Sequence, residues 1–278
     1  MTKERRPQFL GIGTQKCATR WLYEQLSLHP DIYLTPQKEL HYFSHLIQMT
    51  SYTDRFSNPF WKRILSRFLS NPPNQHFFWW LNYMFGVHSK NWYSGLFPLD
   101  QDKKSGEITP RYSTLTMERI CDVYDVNPEM RMIYLLRDPV SRAWSHFRMF
   151  VKKSKLDFDQ MSEKEVFDFI GSDNCLAKGN YYECLLKWYK VFHKEQIFIG
   201  YLEQIKTNPV ELIESILAHI GVEAKVLNNS VSANEPSHVG LKIPMESKYK
   251  EFLQDKYFQP NEDLFRLLGN PIIKNWNK

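Results

Sequence analysis

The sequence predicts an α/β fold in which a central, mostly parallel sheet is flanked by helices. Short apolar runs at 8–13, 132–136 and 196–201 are typical of strands buried on both faces of such a sheet. Segments with helical spacing alternate with them, which favours parallel strands joined by right-handed crossovers. With 278 residues, 42% hydrophobic and 24% charged, the chain has the composition of a globular protein. We expect one domain over residues 1–278.

The remaining elements follow from local spacing and capping residues. A third, short strand is expected at 31–34. Asp138 is a suitable N-cap and Pro139 a suitable first residue for the helix that starts at Val140 and ends near Val151. Apolar residues at helical spacing predict further helices, at 18–28, 181–192 and about 246–256.

Two segments interrupt this alternation. The segment 45–87 is long, rich in aromatic residues and interrupted by three prolines and one glycine. We therefore expect an aromatic helical insertion whose rings are mainly core residues. Residues 222–244 have few periodic apolar positions and predict a long loop. The C-terminal loop and helix then occupy about 222–278.

Charge and composition exclude several classes of protein. The net charge of +5 suits an anionic ligand but is too small to argue for nucleic acid. No apolar run approaches the roughly 18 residues of a membrane span, and the N-terminus lacks the features of a secretory signal. The four cysteines are widely spaced, which favours neither a disulfide framework nor a zinc site. We therefore expect a cytoplasmic protein without a metal.

The loop after the first strand is the first candidate site. Residues 9–22 form a strand–loop–helix unit, in which backbone N–H groups at the helix N-terminus favour an anion. Lys16 adds a positive charge and Thr19 a hydroxyl donor. The glycine and lysine spacing matches neither a Walker A motif nor a dinucleotide fingerprint. By itself, the segment could equally be an ordinary strand–helix turn.

A second candidate site follows the strand at 132–136. Arg137 stands at the carboxyl end of that strand, where open α/β sheets bind ligands. Ser145 lies about two helical turns beyond Asp138, so Arg137 and Ser145 could converge on one phosphate. The alternative is a structural ion pair between Arg137 and Asp138.

Together these motifs resemble the 5′-phosphosulfate loop and the 3′-phosphate motif of sulfotransferases that use 3′-phosphoadenosine-5′-phosphosulfate (PAPS). The resemblance extends from Phe9 to Gly269 and implies a P-loop-like fold. Residues 38–43 are similar to the Lys-Glu-x-His-Phe-Phe segment of the heparan-sulfate-type and related bacterial enzymes. Three further segments match in order: Trp92–Phe97, Gly106–Tyr112 and Gly179–Tyr181. Ala18 departs from the family pattern, which often has glycine there.

The resemblance implies a role for each matched residue. Lys16 would stabilise the charge that develops on the leaving 3′,5′-bisphosphate (PAP), and Glu39 would be the general base, with His41 as the alternative. We expect burial to raise the pKa of Glu39 and a neighbouring cation to limit that rise. Lys38, Glu107 and Arg111 are candidates for contact with the acceptor, or equally for structural ion pairs. The residues expected to hold the donor are Thr14, Gln15, Lys16, Cys17, Ala18, Thr19, Arg20, Arg137, Ser145 and Tyr181.

The expected reaction is transfer of a sulfuryl group from PAPS to a hydroxyl or amine, without a metal. A carbohydrate acceptor is favoured because residues 38–43 match the glycan-modifying branch. Lipid, peptide and small-metabolite acceptors stay open. Two rival functions are a nucleotide-dependent kinase, disfavoured by the missing Walker A motif, and a non-catalytic protein that binds PAP or another nucleotide.

Overall fold

A five-stranded parallel sheet forms the centre of the molecule and confirms the predicted fold class. The computed structural model describes residues 5–44, 62, 64–66, 69, 76–99, 103–224 and 241–278. The strands lie in the order β2-β3-β1-β4-β5, which puts β1 between its neighbours β3 and β4. Their bounds are β1 (Phe9–Gly13), β2 (Ile32–Leu34), β3 (Lys104–Ile108), β4 (Arg131–Leu136) and β5 (Ile197–Tyr201).

Strand β3 is the element that the apolar runs do not reveal. Its sequence, Lys-Ser-Gly-Glu-Ile, contains one apolar residue larger than glycine, yet Ser105 to Ile108 are buried. Gly106 pairs with Phe9 of β1, and a Cβ at Gly106 would lie 2.5 Å from the Phe9 carbonyl oxygen. The strand therefore needs a glycine where β1 approaches most closely.

Helices cover both faces of the sheet. Side chains of β4 alternate, so Met132 and Tyr134 pack into the core on one face while Ile133 and Leu135 pack on the other. The longer helices are α1 (Thr19–Ser27), α2 (Phe77–Phe85), α4 (Met117–Val126), α5 (Pro139–Ser154), α6 (Glu163–Ile170), α8 (Tyr181–Tyr189), α10 (Pro209–Ile220) and α11 (Ser247–Leu268). The shorter ones are α3 (Lys90–Gly95), α7 (Asp173–Leu176), α9 (Leu202–Thr207) and α12 (Pro271–Lys274).

The predicted helix starts agree with the structure better than the predicted ends. Both carboxylate oxygens of Asp138 accept backbone N–H groups of α5, from Val140 and Ser141, which confirms the N-cap. The expected end of the C-terminal helix near 256 is wrong. Helix α11 continues through Pro260 to Leu268, since Leu264 extends its buried face beyond the proline.

Part of the predicted aromatic insertion is visible as α2. Trp79 stacks on Tyr83 at 5.1 Å between ring centroids, and Tyr83 stacks on Trp92 of α3 at 5.9 Å. These rings belong to or pack against the main core, as expected. Phe77 and Phe78, at the start of α2, are instead exposed, so for these two rings the expectation of core packing is wrong. Most of residues 45–75 and all of 225–240, the centre of the predicted late loop, lie outside the described residues. Among the described helices, none is long and apolar enough to cross a membrane.

Candidate active site

The loop between β1 and α1 lies at the carboxyl end of the central strand. The Thr14 N–H donates to the Leu135 carbonyl of β4, and the Cys17 N–H donates back to the Thr14 carbonyl. Lys16 and Ala18 have φ values of 77° and 53°, in the left-handed region. Helix α1 has no side-chain cap at Ala18. The positive end of the α1 dipole therefore faces this loop, which favours an anion there.

Side chains of this loop and of the start of α1 differ in burial. Thr14 is fully buried, and its hydroxyl donates to the Lys178 carbonyl. Cys17 is also buried, which raises the pKa of its thiol to about 12. Arg20 is exposed and pairs with Glu24 at 2.7 Å. The side chains of Thr14 and Cys17 are thus part of the protein interior.

Arg137 connects this loop to the second motif. The Nη1 atom of Arg137 lies 3.4 Å from the Lys16 carbonyl oxygen. The Tyr181 hydroxyl donates to the Arg137 carbonyl at 2.8 Å. Asp138 caps α5, and no ion pair between it and Arg137 is present. Ser145 is buried in the second turn of α5. The structure therefore brings Lys16, Arg137 and Tyr181 together, although they are far apart in the chain.

Positive charge is concentrated around this junction. Burial lowers the pKa of Lys16, and Arg137 and Arg148 lower it further. Burial, Arg142 and Arg111 together lower the pKa of Lys178 to about 8. The strongest charged neighbours of both lysines are thus arginines, an arrangement that an anion would stabilise. In the described part of the chain, no group of three or more His, Cys, Asp or Glu side chains could hold a metal ion.

Three cations of this cluster, Arg142, Arg148 and Lys178, are absent from the sequence prediction. Arg142 is fully buried, and among the described residues its Nε and Nη1 atoms have no hydrogen-bond partner. His146 is buried beside it, and burial together with Lys178 lowers the pKa of its imidazole to about 3. Helical spacing could have revealed Arg142, because Arg142, Ser145 and His146 share one face of α5. Lys178 likewise directly precedes the matched segment 179–181.

Segment 38–41 supplies the candidate base. The Glu39 N–H donates to the Ile108 carbonyl at the end of β3. Its carboxylate lies 2.9 Å from Lys38 Nζ and 3.5 Å from His41 Nε2. The Glu39 side chain is 38% exposed, whereas that of His41 is 10% exposed. Glu39 is thus the more accessible of the two candidate bases.

The expected rise in the pKa of Glu39 is wrong. Burial by itself would raise this pKa, but the hydrogen bond from His41 and the charge and hydrogen bond of Lys38 outweigh it. The pKa falls to about 2. At neutral pH the carboxylate is therefore ionised and held by two neighbouring side chains.

Glu107 has a different position from the one expected for an acceptor contact. It is fully buried in β3 and accepts hydrogen bonds from Tyr93, Tyr112 and Thr109 at 2.7–2.9 Å. Its Oε2 also accepts the Leu40 N–H at 3.2 Å. Glu107 therefore holds the segment that carries Glu39. Arg111, in contrast, is exposed in the turn that follows β3.

Comparisons with known proteins point to one family. A family model described as "Sulfotransferase domain" matches residues 6–236. Human bifunctional heparan sulfate N-deacetylase/N-sulfotransferase 1 is 22% identical over 96% of the chain, and mouse carbohydrate sulfotransferase 15 is 25% identical over 73%. The chain spans 30% and 41% of the length of these two relatives.

Solved structures share the fold. A sulfotransferase from Alicyclobacillus acidocaldarius superposes with a TM-score of 0.67 at 22% identity, covering 98% of this chain and 99% of that one. A mouse sulfotransferase in complex with PAP has a TM-score of 0.53 at 15% identity, covering 98% of this chain and 90% of that one. Both comparisons support the P-loop-like fold.

Proposed function

Because the chain belongs to the sulfotransferase family, we propose that it transfers a sulfuryl group from PAPS to a hydroxyl or amine of a carbohydrate. The observation that carries this proposal is the contact between Arg137 and the Lys16 backbone inside a cluster of cations. Glu39 belongs to a segment anchored at the end of β3, so it stands at the same edge of the sheet. PAP in the mouse neighbour supports the choice of donor.

The donor would bind through its two phosphate-bearing ends. Backbone groups from Thr14 to Thr19 and the Thr19 hydroxyl would hold the 5′-phosphate at the N-terminus of α1. Arg137 and Ser145 would hold the 3′-phosphate, for which the planar guanidinium offers paired donors. Lys16 would stabilise the charge that develops on the leaving bisphosphate.

Transfer then requires one bond to form and one to break. The acceptor oxygen or nitrogen attacks sulfur, the bond from sulfur to the phosphate oxygen breaks, and PAP leaves with that electron pair. Glu39 takes the proton of the acceptor. Its pKa of about 2 is held down by Lys38 and His41. We expect the donor's anionic oxygens to draw Lys38 away, which makes Glu39 a stronger base.

A carbohydrate acceptor rests on the relatives, two of which are named for heparan sulfate and for carbohydrate. A sulfotransferase acting on a lipid, peptide or small metabolite would use the same donor site. A non-catalytic PAP-binding protein would keep the cation cluster without turnover. The ionised and accessible Glu39 favours catalysis.

Two measurements test the proposal. Calorimetry should show that PAP binds without magnesium and that ATP does not bind tightly; magnesium-dependent ATP binding would instead support a kinase. Incubation with 35S-labelled PAPS and a panel of carbohydrate, lipid, peptide and phenolic acceptors should then label a carbohydrate. PAP binding without label transfer to any acceptor would favour the non-catalytic protein.

A further inference from the structure

A cavity of about 470 Å³ opens at the amino ends of the strands, opposite the candidate active site. Its walls come from the starts of β3 and β4 and from the C-terminal end of α10. Strands of five or six residues rise about 3.3 Å per residue, so the two edges are roughly 15–20 Å apart. The cavity is therefore separate from the site that contains Lys16 and Arg137.

The cavity is strongly basic. Four cationic side chains line it, those of Arg6, Lys103, Lys104 and Arg131, against the single carboxylate of Glu129. Within the described residues, neither lysine ammonium group makes an ion pair or a hydrogen bond. Arg131 donates from Nη1 to the Glu195 carbonyl at 3.1 Å, a contact that does not neutralise its charge. Among the described residues, Lys103, Lys104 and Arg131 thus have no carboxylate partner.

Hydrogen bonds hold the walls of the cavity in place. The Gln8 side chain accepts the Ser105 N–H at 2.9 Å, and the Asn127 amide donates to the Pro7 carbonyl at 2.9 Å. His219 Nε2 lies 3.1 Å from the Met132 carbonyl oxygen. This Nε2–H donates to the carbonyl, and burial together with Arg131 lowers the pKa of His219. The cavity is therefore preformed, which lowers the entropic cost of binding.

One of the four cations also has a structural explanation. A Cβ at Gly221 would lie 3.8 Å from Lys104 Nζ, so this ammonium group stands at the C-terminal end of α10. A cation there stabilises the helix dipole. Lys103 is exposed and Arg131 begins β4, so the helix end does not explain their positions.

We propose that this cavity binds a ligand that carries two or more sulfate or phosphate groups. Several charge-assisted contacts are available to such a ligand, whereas a single anion would neutralise at most one of Lys103, Lys104 and Arg131. The inference does not depend on the proposed function, because the cavity shares no residue with the donor site. Sulfated sugars and phosphate compounds have the required chemistry in common, and separate probes distinguish them.

The test is calorimetry with inorganic pyrophosphate and with a disulfated disaccharide. Each probe could also bind near Lys16, so Arg137→Ala serves as the variant that weakens only the donor edge. Binding to the cavity should persist in Arg137→Ala and weaken roughly 10- to 100-fold in Lys103→Ala and in Arg131→Ala, as expected for loss of a hydrogen bond to a charged group. Tighter binding of the disaccharide would identify a sulfated sugar as the ligand, and tighter binding of pyrophosphate a phosphate compound.

Lys103→Ala is the decisive variant because the side chain is exposed and its removal should not impair folding. It should also leave the affinity of the donor site for PAP unchanged. The inference is overturned if neither probe binds the wild-type protein at millimolar concentration, or if Lys103→Ala and Arg131→Ala bind both probes like the wild type. If the wild type binds neither probe and Lys104→Ala has a lowered melting temperature, Lys104 only stabilises the C-terminal end of α10 and the cavity is not a binding site.

Discussion

Replacing Glu107 by glutamine should displace the candidate base without touching the acceptor. The Glu107 carboxylate accepts four hydrogen bonds, of which three come from hydroxyl groups and one from the Leu40 N–H. Glutamine keeps one carbonyl oxygen, which can retain Tyr93 and Tyr112. The Thr109 hydroxyl can rotate and accept from the new amide. The Leu40 N–H then faces an N–H group and loses its partner.

The size of the effect follows from that single orphaned donor. A buried N–H without a partner costs about 1–3 kcal/mol. At roughly 2–4 °C per kcal/mol for a domain of 150–250 residues, the melting temperature should fall by about 2–12 °C. Because Leu40 directly follows Glu39, the base should also move, and a shift of about 1 Å can cost as much as 10²-fold in kcat.

Thermal unfolding and steady-state kinetics measure the two effects separately. Glu251→Gln makes the same chemical change at an exposed position of α11 and should change stability by less than about 0.5 kcal/mol. A loss in kcat with a nearly unchanged acceptor KM would identify Glu107 as a positioning residue. An unchanged melting temperature together with a higher acceptor KM would refute this reasoning and restore the acceptor contact expected from the sequence.

Four further predictions concern the donor edge. Glu39→Gln should retain PAP affinity and lose about 10²–10⁴-fold in kcat; initial rates above about a tenth of wild type would point to His41 as the base. Arg137→Ala should weaken PAP far more than adenosine 5′-phosphosulfate in calorimetry, since only PAP carries the 3′-phosphate; equal losses would mean that Arg137 merely holds the Lys16 backbone. The Lys178 pKa of about 8 should rise when an anion binds, so the affinity should fall as the pH is raised above 8. Calorimetry of PAP binding at pH 8, in buffers of different ionisation enthalpy, should therefore show proton uptake; no uptake would mean that Lys178 does not interact with the bound anion. Ala18→Gly should raise the free energy of unfolding by about 0.5–1 kcal/mol in chemical denaturation, because Ala18 has a φ of 53°; a destabilised variant would contradict the assigned strain.

Local chemistry determined much of the fold. The apolar runs that became β1, β4 and β5 are recognisable by themselves, and so is the Asp138–Pro139 start of α5. Placing Lys16 and Arg137 after buried strands predicted that both would lie at the carboxyl edge of a parallel sheet. Their contact follows, because β1 and β4 are adjacent and Thr14 bonds to Leu135.

Only the tertiary structure decided the environment of each polar group. Strand β3 is hidden because it has few apolar residues, and Glu107 in it needs partners from three other segments to be buried. The pKa of Glu39 fell rather than rose, since its geometry towards Lys38 and His41 outweighs burial. The basic cavity combines residues near 6, 104, 131 and 219 at the amino ends of the strands. A sequence records the charge and the local preference of each residue, but desolvation and pairing energies depend on which distant residues lie within a few ångströms.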